Sequence, residues 1–218
     1  EVKSAADVLL SSGESAEGTT SDLVLNAAVS STGGHISILS KDGIKLGDAT
    51  ADITTGDTTK VSRTVDVQAD AGVEMVDGAV ITSGNATDGW GAVRIQALGG
   101  DVTVGEIAAG TASVALLASG SVLDLGVDTS TVDVTAGGLL VTAGTAIGSS
   151  GNHLETAVGT LSTKSTTGAS FVTESDAVTV GSVSVTVERV LATGALDTTQ
   201  PSATQEDLSS GGDLVLVT

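Results

Sequence analysis

Cysteine is absent from the chain, which excludes disulfides, zinc–thiolate centres and thiol nucleophiles. Aromatic residues are almost as scarce: Trp90 and Phe171 stand alone, without a single tyrosine. A thick globular core relies on such rings for bulk, so this interior must be built from Val, Ile, Leu and Ala. Small aliphatic side chains fill a narrow space well and a wide one badly. The expected core is therefore thin and elongated. Basic residues number 8 against 27 acidic ones, a net charge of −19. That balance repels phosphate backbones and anionic lipid, so no nucleic-acid partner is expected. No apolar run approaches the ~20 residues that span a bilayer, so membrane insertion is not expected either. The chain starts without Met and without a basic, then apolar, leader, and is expected to be an internal segment or processed piece of a longer protein. A hydrophobic content of 40% argues against disorder.

What is present is alternation. "HISILS" at His35–Ser40, "VDVQA" at Val65–Ala69, "AVRIQAL" at Ala92–Leu98 and "DAVTVGSVSVTVERV" at Asp176–Val190 place apolar residues at every second position. This is the period of strands with one buried face, and Val, Ile and Thr supply the β-branched character. No stretch sustains a helical period. "GG", "DG", "SG" and "AG" punctuate the bursts as turns. Successive stretches such as "GAVRIQALGGDVTVGEIAAG", "TASVALLASGSVLDLGVD" and "TSTVDVTAGGLLVTAGTAIG" each read as strand, glycine corner, strand, looser corner. The expected fold is all-β, a parallel β-helix (β-solenoid). At ~22 residues per coil the chain makes about ten coils, a rod on the order of 45 Å. An antiparallel sandwich is the structural rival. It normally carries aromatic plugs and Asn-Gly or proline-containing hairpins, whereas this chain has no Asn-Gly and its one proline is Pro201.

The tetrapeptide Asp-Leu-Val-Leu occurs at Asp22–Leu25 and again at Asp213–Leu216. Polar stretches at Ser12–Ser21 and Asp197–Gly212 lead into these two copies, and "DVLLSSG" at Asp7–Gly13 rhymes with "RVLATGA" at Arg189–Ala195. The expected organisation is the end of a preceding repeat with a linker over 1–21, a β-helix repeat over 22–196, a polar linker over 197–212 and the start of the next repeat over 213–218.

The wording "DLVLNAAVSSTGGHISILSKDGIKLG", "LETAVGTLSTKS" and "ASFVTESDAVTVGSV" resembles repeats of very large bacterial surface proteins, the filamentous-haemagglutinin-like adhesins. The resemblance runs from about Asp22 to Val187. It implies a right-handed parallel β-helix, secretion to the cell surface, and a structural or adhesive role. It implies no active site.

Parallel β-helices include polysaccharide-cleaving enzymes, and the chain holds three close carboxylate pairs that bear on this: Asp52 with Asp57, Glu74 with Asp77, and Glu174 with Asp176. Glycoside hydrolysis needs two carboxyls facing across a cleft, and sugar binding needs flat rings that this chain lacks. No catalytic residues are assigned, and the chain is not expected to be an enzyme. His35 and His153 each open a strand and read as surface imidazoles beside turns, about five coils apart. Calcium is the one ion these corners bring to mind: Gly99–Asp101 and Gly211–Asp213 show a glycine-aspartate corner, but not the tandem nonapeptide that makes ligands converge. The plain reading is an aspartate accepting backbone N–H groups, so no metal or cofactor residues are assigned. Thr-rich stretches recur too irregularly for a flat ice-binding face, and Lys41, Lys45, Lys60 and Lys164 make no basic patch. Trp90 is expected to cap a coil corner. The functional expectation is a structural repeat of an extracellular bacterial surface filament, partnered end to end with itself. An adhesin module gripping a surface glycan is the alternative.

Overall fold

The computed structural model describes residues 1–13, 22–56, 62–126, 131–201 and 204–218, with side chains described outside 199–203. Every element among them is a strand, and no helix is long and apolar enough to cross a membrane. The strands wind as a parallel β-helix with three faces. The first face stacks Val2–Ser4, Val29–Ser31, Ile53–Thr55, the start of Val80–Asn85, Glu106–Ala108, and the N-terminal parts of Val134–Ala143 and Leu154–Ser165. The second face stacks Val8–Ser12, Ile36–Ser40, Val65–Ala69, Val93–Ala97, Ser113–Ala118, the C-terminal parts of the same two long strands, and Leu208–Ser210. The third face runs from Leu23–Leu25 through Ile44–Leu46, Val73–Met75, Val102–Val104 and Val122–Asp124 to Ile147, Ser170 and Leu214, while Val172–Glu174 of the strand Ser170–Glu174 pairs with Leu154–Thr156 of the first face and is itself followed by Leu216–Val217.

Inward residues of successive coils fall in straight rows. On the second face one row is Leu10, Ile38, Val67, Ile95, Leu116, Val141, Thr163 and Leu208. The neighbouring row, at the corner, is Ser12, Ser40, Ala69, Ala97, Ala118, Ala143, Ser165 and Ser210, all of them small side chains. Such ladders are how a core without aromatics closes: each Val or Ile lies ~4.8 Å from its equivalent above and below. Each coil rests on its neighbours, so stability accumulates along the axis.

The coils are less uniform than expected. From Ile36 to its partner Val65 the chain uses 65 − 36 = 29 residues, and from Val93 to Val114 it uses 114 − 93 = 21. The row beginning at Leu10 accordingly contains eight side chains, about 34 Å of rod at ~4.8 Å per step. The surplus lies in the corners, which face solvent and tolerate length.

The last coil departs from the pattern. Thr179–Val180 pairs with Thr160 and Leu161, and Leu208 pairs with Thr163. A continuous strand needs one residue opposite Ser162. The chain instead makes an excursion through residues 181–207, an antiparallel hairpin of Thr186–Val190 with Leu196–Pro201. This hairpin lies flat on the outside of the second face and is called the strap below. Asp207, with φ of +67°, turns the chain back into the coil, where its carbonyl accepts from Ser162 Oγ and the Thr163 amide.

Candidate functional site: the strap and the open end coils

The strap runs across the coils, roughly along the rod. Val183, Val185 and Val187 point inward on the period of two and pack on Ala115 and Leu140, with Ala92 and Leu117 at the margin. Further along, the Glu188 amide donates to Thr64 Oγ1 at 3.0 Å and the Val190 amide to Ser37 Oγ at 2.9 Å. The outward row Ser37, Asp66, Arg94, Ala115, Leu140 and Ser162, which a bare coil presents to water, is buried throughout.

The centre of that row is charged. Asp66 is 0% exposed and lies between two guanidinium groups. Arg94 from the adjacent coil donates through Nε (3.0 Å) and Nη2 (2.8 Å) to Oδ1. Arg189 of the strap donates to Oδ2 at 2.7 Å, and its Nη2 to Gln68 Oε1 at 2.7 Å. A buried carboxylate is tolerable only when paired in this way, and the same pairing fixes where the strap sits. Beside it, His35 is 3% exposed, not the surface imidazole expected. Its Nδ1 accepts the Thr64 amide at 3.0 Å, which places the proton on Nε2, 3.1 Å from Glu188 Oε2 of the strap. Burial, and secondarily the Arg63 charge, lowers the His35 pKa from its ordinary value against the opposing charges of Glu188 and Asp7.

Both ends of the rod are open among the described residues. Val2–Ser4, Val8–Ser12 and Leu23–Leu25 each pair on one side only, as do Leu208–Ser210 and Leu214–Val217 at the other end. The core itself is uncovered there. Leu214 is 44% exposed although its row mates Ile44, Val73, Val102, Val122 and Ile147 are buried, and Val2 is 36% exposed above a buried Val29. The first face is closed differently at its C-terminal end. There Val172–Glu174 pairs with Leu154–Thr156, and just beyond that pairing the buried carboxylate of Glu174 receives the Val158 amide at 3.1 and 3.2 Å and Thr156 Oγ1 at 2.8 Å. Glu174 is thus a structural cap, while Asp176 is exposed beyond it, its amide donating to Glu174 Oε1 at 3.1 Å.

Two other carboxylates of the expected pairs hold structural partners. Glu74 is ion-paired with Lys45 at 2.6 Å, and Asp52 accepts the Val80 amide at 3.0 Å; Asp57 and Lys60 lie outside the described residues. Lys45 and Glu74, with Asp22 and Asp101, border a shallow groove of about 390 Å³ on the third face, which has no aromatic wall. Asp101 accepts the Ser121 amide at 2.6 Å, the corner role expected of it, and Asp22 accepts the Gly43 amide at 3.0 Å. His153 bonds Thr173 Oγ1 at 2.8 Å beside the Phe171 ring, coils away from His35. Trp90 lies over Gly110, whose φ of +50° and missing side chain make room for the indole; a Cβ there falls inside the ring.

Sequence reasoning missed one cluster. Asp124, Asp133 and Glu155 bring carboxylate oxygens within 4.8 Å of one another at the corner between the third and first faces. The Glu155 amide donates to Asp133 Oδ2 at 2.7 Å, and Asn152 Nδ2 holds Asp124 Oδ2 at 2.7 Å. Burial, reinforced by the charges of Asp124 and Glu155, pushes Asp133 up to about 8, so the cluster retains a proton at neutral pH. Aligning "VDVT" with "LETA" as consecutive coils is the signal that would have found it, since Asp133 and Glu155 precede the paired residues Val134 and Thr156.

No family model, curated protein or solved structure matches the chain.

Proposed function

We propose that the chain is a structural segment of an extracellular fibre or filament at a bacterial cell surface, whose coils continue end to end into further coils of the same kind. The observation that carries this reading is the match between the two open ends. Leu10-Ser11-Ser12 opens the second face and Leu208-Ser209-Ser210 closes it, with Leu10 and Leu208 in one row and Ser12 and Ser210 in the next. On the third face Leu23 opens one row and Leu214 closes it. A last coil laid on a first coil therefore repeats the spacing and side chains already stacked within the rod. Open strand edges and an uncovered core favour such pairing. The bacterial, extracellular setting rests on the resemblance of the coil words to surface-protein repeats. Sedimentation over a concentration series tests the self-association: the reading expects mass to grow in steps of one chain, and a strictly monomeric rod at high concentration contradicts it.

A further inference from the structure

The strap breaks the last strand of the second face in two. Thr179–Val180 pairs with Thr160 and Leu161 before the break, and Leu208–Ser210 pairs with Thr163–Ser165 after it. These two roots of the strap are held from one side. The Gly181 amide donates to the Leu161 carbonyl at 3.2 Å, and the Thr163 amide to the Asp207 carbonyl at 3.1 Å. Among the described residues no strand covers their other edge. Both roots end inward rows: Val180 ends the row that Val8 begins, and Leu208 the row that Leu10 begins. Val180 is accordingly 46% exposed although Leu161 beside it is buried. Just outside the coil the base of the strap is closed by one antiparallel bridge. In it the Val183 amide donates to the Gln205 carbonyl at 3.0 Å and the Gln205 amide to the Val183 carbonyl at 3.2 Å.

The first coil carries the same strand unbroken, as Val8–Ser12. Laid on the last coil of another copy, Val8 meets Val180, Leu10 meets Leu208 and Ser12 meets Ser210. Leu9, which begins the outward row that ends at Ser162, then stands over the gap between the roots. A strand crossing that gap pairs with both roots only while they lie in register. We propose that Val8–Ser12 of one copy is the latch of the strap in the copy it joins: resting on the end-to-end reading above, it holds the two roots together and so keeps the strap base shut. The coupling is reciprocal. A partner that binds only the closed arrangement stabilises it, and binds less tightly when the roots part. Within a fibre every covered last coil has its strap latched, and the copy whose last coil is free has the looser strap.

Hydrogen exchange at the Val183 and Gln205 amides of the unaltered chain, followed over a concentration series with sedimentation alongside, tests this. Val183 packs on Ala115 and Leu140, inward of the last coil, so a joined copy does not cover the bridge directly. The proposal expects exchange there to slow as mass grows, by about tenfold at roughly ten times the joining midpoint. It expects no slowing in Leu214→Lys with Leu216→Lys, which charges the last coil away from the strap and blocks joining. Growth in mass without slowing overturns the latch and leaves the end-to-end reading standing. Equal slowing in the charged variant while it stays monomeric does the same to the latch. No growth in mass of the unaltered chain overturns both.

Discussion

Leu10 and Leu208, near opposite ends of the chain, occupy one row of the second face as the first and last of eight stacked side chains. Leu23 and Leu214 stand in the same relation on the third face. The return of Asp-Leu-Val-Leu in the sequence therefore brings its first leucine back to the same row, with a full stack of coils between, while Leu216 lies in the row of Val172 and Leu154. The other rhyme has no such counterpart, because Val8 opens a coil strand whereas Val190 ends the inner strand of the strap.

Replacing Asp66 tests the strap's anchor. Asp66→Asn keeps the shape but leaves Arg94 and Arg189 without their anion. Breaking a buried pair from one side costs ~3–5 kcal/mol. The expected outcome is a strap that opens before the coils do. Proteolysis at the Leu191–Ala195 turn should become faster, and hydrogen exchange at the Val187 and Val190 amides should rise while the coil rows stay protected. Unchanged cleavage and exchange would show that Val183, Val185 and Val187 hold the strap unaided.

Acid should loosen the same strap through His35. Its pKa is depressed below the ordinary 6.5, chiefly by burial, so the folded state favours the neutral ring. The stability this group contributes is present above 6.5 and is lost as pH falls through the lowered value. Protonation puts a hydrogen on Nδ1, against the Thr64 amide that now donates to it. Strap exchange rates measured against pH should climb on acidification in the unaltered protein. They should climb less in His35→Asn, which keeps an acceptor near Nδ1 but does not titrate there. Identical profiles would remove His35 from this role.

Alkali should act at the other cluster. Asp133 is raised from 3.8 to about 8, mainly by burial, and a raised carboxyl stabilises the fold most at low pH. Its contribution is complete below 3.8 and is lost as pH rises through about 8. Melting temperature should therefore fall between pH 6 and 9 in the unaltered chain and fall less in Asp133→Asn. An equal fall in both would show that the proton is not held at Asp133.

The coil words made the architecture readable, because alternation, glycine corners and scarce aromatics each point to thin stacked coils. Coil length was less readable, since corners such as 47–52 absorb extra residues without altering the rows. The strap was hidden for a physical reason. "SVSVTV" alternates whether its inward valines enter a coil's core or press on the outside of several coils, so periodicity reports one buried face and not the strand's direction. Asp66 and Arg94 were equally silent: each occupies an outward position that alternation assigns to solvent, and only the strap buries it. Asp133 and Glu155 lie far apart in sequence and meet through the register of two coils.

End-to-end stacking is tested most directly by electron cryomicroscopy of the concentrated protein. The stacking reading predicts filaments in which Leu214–Val217 of one copy lies ~4.8 Å from Leu23–Leu25 of the next as parallel strands. It also predicts that Leu214→Lys with Leu216→Lys, which charges the uncovered last coil, abolishes those filaments. Separate rods, or rods packed side by side with their end coils free, would contradict it.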